Sequence, residues 1–281
     1  MFARVPASSA NLGPGFDVLA VALSLYLEVT IEPAASLEVT SEGCGAGMFD
    51  DERHLGVQVA RSILGNSNFK IHVKSEIPVS RGLGSSAALA VAAAAAAGAA
   101  NPLAKGVEVD GHAENAAASI LGGLVVATGH DELALARRLP LDPEWRFVAV
   151  VPDQELATAD ARRVLPSSVA FADAVSNLSG LGMLIAGLAH HEDFVASSMD
   201  DCLHQPYRAV LLPFADDLLV ALREGGAAGS CWSGAGSTML ALTTSQSAPN
   251  VTQAAHDFLR RRGVEGEVHL LEADVAGLVR S

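Results

Sequence analysis

The sequence predicts an α+β protein organised as two units, on three observations. Leu25, Leu27, Val29 and Ile31 alternate with Tyr26, Glu28, Thr30 and Glu32, and Phe69, Ile71 and Val73 alternate with Lys70, His72 and Lys74. Each is the period-two pattern of a strand with one face for a core. Long helical patterns enter after residues 147–151, placing a boundary near Pro152 between units 1–151 and 152–281. The chain then closes with a helix followed by a strand, an order that suits an α+β sandwich.

Taken in order, a short strand over residues 2–5 leads into the run PASSANLGPGFD, residues 6–17, whose small and polar residues suit a turn or a ligand loop more than a core. Leu55, Val59 and Ile63 recur at four-residue intervals, predicting a helix within 51–64, with Asp51 and Glu52 near its positive end. A strand over 69–75 is followed by IPVSRGLGSSAA and an alanine-rich segment, 87–100. That segment is too short and too weakly apolar to span a bilayer and reads as a buried helix. Beyond the strand at 147–151, helical patterns cover 169–188, 193–203 and 209–223. A glycine-rich stretch at 225–238, a strand at 239–242, a helix at 251–262 and a strand at 267–271 complete the chain.

Composition narrows the function classes. With 281 residues, half of them apolar and 18% charged, the chain is neither disordered nor a stapled mini-protein. Thirty-two acidic against 18 basic residues give a net charge of −14, a field that repels nucleic acid and anionic membranes. Cys44, Cys202 and Cys231 lack CxxC spacing, which argues against a disulfide framework or a zinc site and suits a reducing compartment. The first residues carry one basic side chain and no apolar run, unlike a secretory signal, so a cytoplasmic location is expected.

Three glycine-bearing segments are candidates for chemistry. In the first, strand, glycine loop and helix start follow one another. Gly82 and Gly84 let backbone amides approach an anion, and Ser85 and Ser86 stand at the helix N-terminus, where unpaired donors favour negative charge. Lys74 and Arg81 add positive charge nearby. No Lys-Ser/Thr follows the glycines, so this is not a Walker A loop, and it reads equally as a serine-capped turn. The second segment, 6–17, offers Asn11 and Asp17 to a small polar ligand or is a turn; the third, 225–238, with Ser233 and Ser237, indicates close backbone approach or a long turn. His112 in GHAEN lacks the HExxH spacing for zinc, while Asp110 and Glu114 are either magnesium ligands or solvated surface acids. Arg162, Arg163 and Arg208 stand out in a chain poor in cations. Two converging guanidinium forks would suit a small carboxylic acid, although ion pairing explains any one of them. The cluster from His190 to Asp193 is assigned to solvent.

Together PASSANLGPGFD, IPVSRGLGSSAA, GHAEN with LGGLVV, TADARRVLP, DCLHQPYR and SGAGST resemble, in order and over most of the chain, the GHMP kinase superfamily, above all the branch that phosphorylates homoserine. The resemblance implies an N-terminal ATP-binding domain like domain 2 of ribosomal protein S5 and a ferredoxin-like C-terminal domain. It implies transfer of the γ-phosphoryl of ATP with Mg2+ to the hydroxyl of L-homoserine, in threonine biosynthesis, by a homodimer with no nucleic-acid or membrane partner. It assigns Asn11, Asp17, His112, Arg162, Arg208 and Gly234 to the amino-acid substrate. Lys74, Pro78, Arg81, Gly82, Leu83, Gly84, Ser85 and Ser86 fall to ATP, and Ser86 and Asp110 to magnesium. Asn115 stands where several relatives carry a catalytic aspartate, so catalysis by Asn115, Arg162 and Asp17 would rest on positioning and charge stabilisation. Departures from the pattern are DGHAEN for EGHPDN, a shorter segment at 101–109, His54-Leu55 for Asn-Leu on the adenine side, and Ser237 for proline. The alternatives are a GHMP kinase for another small alcohol and a catalytically silent ligand-binding homologue.

Overall fold

The computed structural model describes residues 1–129 and 133–281. The α+β class is observed. β1 (Phe2–Asn11), β2 (Gly15–Pro33), β3 (Glu38–Gly43), β4 (Phe69–Ser75), β5 (Leu124–Thr128) and β6 (Leu135–Leu139) join the terminal β11 (Val279–Arg280) in one sheet. Its order is β11-β1-β2-β4-β3, with β5 pairing the first part of β2 and β6 pairing β5. The first expected strand is longer than its pattern suggests. Pro6 to Asn11 continue β1, with Ala7 and Ala10 fully buried, because small side chains fit against a packed helix. The run 6–17 is therefore a hairpin that contributes to the core.

Against this sheet lie α1 (Leu55–Leu64), α2 (Ser85–Ala96) and α4 (Ala113–Leu121), with α3 (Pro102–Asp110) packed on α2 and α4. The expected alanine helix is α2, ending at Ala96. It is buried from Ala87 to Ala96 except Leu89, and packs on α1, α3, α4, β1 and β2, an approach from several sides that only short side chains allow. α1 begins later than its stripe: Asp51 and Glu52 precede it, and His54 caps it by accepting the Gly56 amide at Nδ1, 3.1 Å away.

The second sheet is antiparallel, in the order β10-β7-β9-β8. It comprises β7 (Trp145–Pro152), β8 (Gly229–Trp232), β9 (Met239–Thr244) and β10 (Gly266–Leu271). With α8 (Ala215–Glu224) between β7 and β8, and α9 (Ala248–Arg262) between β9 and β10, this is the βαββαβ arrangement of a ferredoxin-like domain. β7 lies in this sheet, so by strand pairing the second unit begins before Pro152, and β11 carries the chain end back to β1. Alternate residues of β7 serve two cores. Phe147, Ala149 and Val151 join the main core, while Val148 and Val150 pack with Trp232, Leu218 and Phe258 under α8 and α9. A strand covered on both faces reads as a continuous apolar run, as β7 does.

Between these units run α5 (Thr158–Arg163), α6 (Phe171–Ala189) and the short α7 (Gln205–Arg208). The helix expected at 193–203 is instead two 3-10 turns, His191–Asp193 and Ala196–Met199, and the one expected at 209–223 starts as the 3-10 turn Ala209–Leu211. The stretch 225–238 contains β8. The His190–Asp193 cluster is not wholly left to solvent: Asp142 Oδ2 accepts from the amide and Nδ1 of His191 at 2.9 and 2.7 Å, closing the end of α6. α6 is long and apolar enough to cross a membrane by length and composition, yet it flanks the protein with Leu184 and Leu188 buried.

Candidate active site

The glycine loop is held open by its neighbours. Gly82 adopts φ +77°, and a Cβ there would lie 2.2 Å from Ser233 O; Gly84 adopts φ +69°, and a Cβ there would meet Ser8 Oγ at the same distance. Ser233 Oγ donates to Gly82 O at 2.7 Å and Ser8 N to Leu83 O at 3.1 Å, so all three glycine segments meet here. Gly84 caps α2 without a side-chain hydrogen bond, which leaves the first amides of the helix free toward a cavity lined by Gly82, Gly84, Ser85 and Ser86.

The same cavity is lined by Asn11, Asp17, Asp110, His112, Glu114, Asn115, Arg162, Arg208 and Gly234. Arg162 Nη2 donates to Asp17 Oδ1 at 2.6 Å. Arg208, with 1% of its surface exposed, donates from Nη1 to Gly234 O at 2.8 Å and from Nε to Ala161 O at 3.3 Å. Burial and the nearby Arg162 lower its pKa to about 10, so it stays charged at neutral pH. Asn11 shapes the backbone, donating from Nδ2 to Gly234 O at 2.8 Å and accepting the Asp17 amide at 3.0 Å. Asn11 and Asp17 both have positive φ, which asparagine and aspartate tolerate better than most residues. Arg163 points elsewhere, to Asp160.

Asp110 ends α3, Gly111 turns the chain at φ +77°, and His112 starts α4 with Nδ1 donating to Asp110 O at 3.0 Å. Despite the short 101–109 segment, Asp110 lines the cavity. Burial raises its pKa, opposed by His112 and by a hydrogen bond with Asn115. Ser8 Oγ donates to Asn115 Oδ1 at 2.9 Å. Glu114, one of whose two readings was a solvated acid, is 4% exposed, and burial, helped by the nearby charges of Asp17 and Asp110, pushes its carboxyl up to about 7. It is the cavity residue that sequence reasoning placed least well. Its position one residue before Asn115, in the first turn of α4, was the available signal.

Three residues expected at the nucleotide line neither cavity. Lys74 is exposed on β4 in register with Glu28 and Glu42, and lines neither this cavity nor the adjoining one. Leu83 is fully buried and offers only backbone. Pro78 is half buried beside the loop and outside both linings. Arg81 does line the cavity, but its guanidinium donates to Val79 O, Pro152 O and Asp153 O and faces Glu155 at 3.3 Å, clipping the loop to the end of β7 and the residues that follow it.

A second cavity of about 220 Å³ adjoins the first at Ser85 and Ser86 and is mostly apolar, with Leu27, Met48, Phe49, Leu55 and Val79 among its walls. His54 also lines it, kept neutral by burial, which lowers its pKa. Asp110 and Ser86 are hard oxygen donors on one cavity, a set that fits magnesium, which is held by one or two carboxylates together with substrate phosphates.

The model for the GHMP kinases N terminal domain matches residues 53–124, and that for the GHMP kinases C terminal matches residues 184–261. The homoserine kinase of Desulfitobacterium hafniense is 38% identical, covering 98% of this chain and 97% of its own length. That of Carboxydothermus hydrogenoformans is 36% identical, covering 98% and 95%. Among solved structures, homoserine kinase from Cytophaga hutchinsonii superposes with a TM-score of 0.85 at 27% identity, covering 99% of this chain and 96% of that one.

Proposed function

The chain belongs to the homoserine kinase family of the GHMP kinases, and from that membership and the cavity we infer that it transfers the γ-phosphoryl of ATP to the side-chain hydroxyl of L-homoserine, giving O-phospho-L-homoserine. The observation that carries the reading is the meeting of two guanidinium groups, Arg162 and Arg208, with the open amides of α2 in one cavity. Homoserine is a zwitterion. Its carboxylate would be gripped by the two arginines, each a planar fork suited to carboxylate oxygens. Its ammonium would be drawn to Asp17 and Glu114, and Asn115 would orient the hydroxyl.

ATP would place its phosphates over Gly82, Gly84, Ser85 and Ser86 and its base in the apolar cavity beside Leu55. Ser86 and Asp110 would hold Mg2+, whose positive charge neutralises the phosphates when bound. Asn115 is an amide and takes no proton near neutral pH. The chain's contribution is therefore alignment of hydroxyl and phosphoryl group, with backbone amides stabilising the charge that develops, which phosphoryl transfer allows. A cytoplasmic homodimer completes the proposal; sedimentation would then report twice the 28.8 kDa chain mass.

The test is direct. Purified protein with MgATP and L-homoserine should yield phosphohomoserine by phosphorus NMR, while mevalonate and galactose yield none. No product at millimolar homoserine rejects the activity, and phosphorylation of another alcohol in its place reassigns the substrate.

A further inference from the structure

The side chains that hold the two guanidinium groups in place lie behind the cavity wall. Phe16, half buried at the start of β2, has the Cζ of Arg162 5.4 Å and the Cζ of Arg208 5.3 Å from its ring centroid. Two like charges sharing a weakly solvated site repel, and an aromatic face attracts both through its quadrupole. The His204 ring stacks on Phe16, with centroids 5.0 Å apart and planes inclined by 23°.

His204 is wholly buried, and its hydrogen bonds define its tautomer. Nε2 lies 2.9 Å from Gly13 O, which can only accept, so Nε2 carries the hydrogen. Nδ1 is then a lone-pair acceptor, and Arg208 Nη1 donates to it at 3.1 Å. Burial lowers the pKa of the imidazole and keeps it neutral, as this acceptor role requires. Asp201 Oδ2 accepts the amides of His204 and Gln205 at 3.1 and 2.7 Å, which anchors the start of α7, the helix that carries Arg208. With Nε and Nη1 thus occupied, no described residue accepts from Arg208 Nη2, the edge left for a ligand.

We propose that Phe16 and His204 are positioning residues for carboxylate recognition: their stacked rings hold Arg162 and Arg208 at a spacing that lets both grip one carboxylate, and so set a preference for an amino acid over an amino alcohol. The proposal deepens the homoserine reading and rests on it. Neither residue lines the cavity. The aromatic ring and the neutral imidazole orient the guanidinium groups without themselves carrying negative charge; the carboxylates beside them are Asp17, paired with Arg162, and the buried Asp201, whose Oδ2 lies 3.4 Å from His204 Nε2.

The test compares L-homoserine with 3-aminopropan-1-ol, the same molecule without its carboxylate, by calorimetric Kd on wild type, Phe16→Leu, His204→Leu and His204→Gln, alongside turnover, ATP affinity and thermal melting. Phe16→Leu and His204→Leu should each weaken homoserine about tenfold, leaving the amino alcohol and ATP within about twofold, as expected for loss of aromatic and hydrogen-bond support to charged groups. His204→Gln, which keeps a donor and an acceptor, should recover part of the loss. Equal weakening of both ligands, or unchanged homoserine affinity, overturns the proposal. Should one leucine variant fail to fold, the other decides. A wild type that binds homoserine without phosphorylating it defeats the functional reading and leaves the positioning claim to the affinity ratios.

Discussion

Arg162 and Asp17, 145 residues apart in the chain, meet at 2.6 Å on the cavity wall. Each side chain is 34% exposed, so the pair adds little stability. Its significance is chemical: in the absence of substrate each group serves as the other's counter-ion, and a zwitterion could replace both contacts. Asp17→Asn keeps the shape and tolerates φ +55°, and should raise the homoserine KM about tenfold with the ATP KM unchanged. Steady-state titration of each substrate checks this, and equal shifts in both would contradict it.

Arg208→Ala removes a buried cation and leaves Gly234 O short of one donor. Homoserine binding should weaken by about 2 kcal/mol or more, roughly thirtyfold, with ATP binding little changed. Calorimetry with each ligand separately measures the split.

Gly82→Ala would drive a methyl group against Ser233 O at a backbone angle that alanine adopts reluctantly. The loop should shift and ATP affinity should fall, with about 1–3 kcal/mol lost in thermal or denaturant unfolding. A variant with wild-type melting and ATP affinity would show that the loop does not need this close approach.

Glu114 gives a pH signature in the ligand-free protein. Its folded pKa, about 7, lies above the ordinary 4.5. Between these values the folded state keeps a proton that the unfolded state releases, so stability falls as pH rises through this window, by ~3 kcal/mol at most. Glu114→Gln should flatten the slope between about pH 4.5 and 7. Urea unfolding at several pH values measures it, and an unchanged slope would assign the titration elsewhere.

Arg81 and Lys74 separate scaffold from site. Arg81→Met should lower stability by about 2 kcal/mol through lost charge-assisted bonds to carbonyls. Lys74→Met should change neither melting nor the ATP KM, since Lys74 lies outside both cavities. A large rise in ATP KM for Lys74→Met would return that lysine to the nucleotide.

Some features needed only the sequence, because neighbours in the chain determine them. Alternation marked β2 and β4, the alanine run marked α2, and the glycine loop before Ser85 marked an anion-binding helix start. The ordered motifs marked the family and most of the cavity's residues. Folding decided what depends on residues distant in sequence: that Pro6 to Asn11 form a strand, that β7 belongs to the second sheet, that Glu114 is buried, and that Arg81 is consumed by carbonyls at the end of β7. Local pattern records which backbone shape a segment favours. It does not record which other segment will exclude its water or accept its hydrogen bonds, and that exclusion sets the charge, reach and partners of every group in the site.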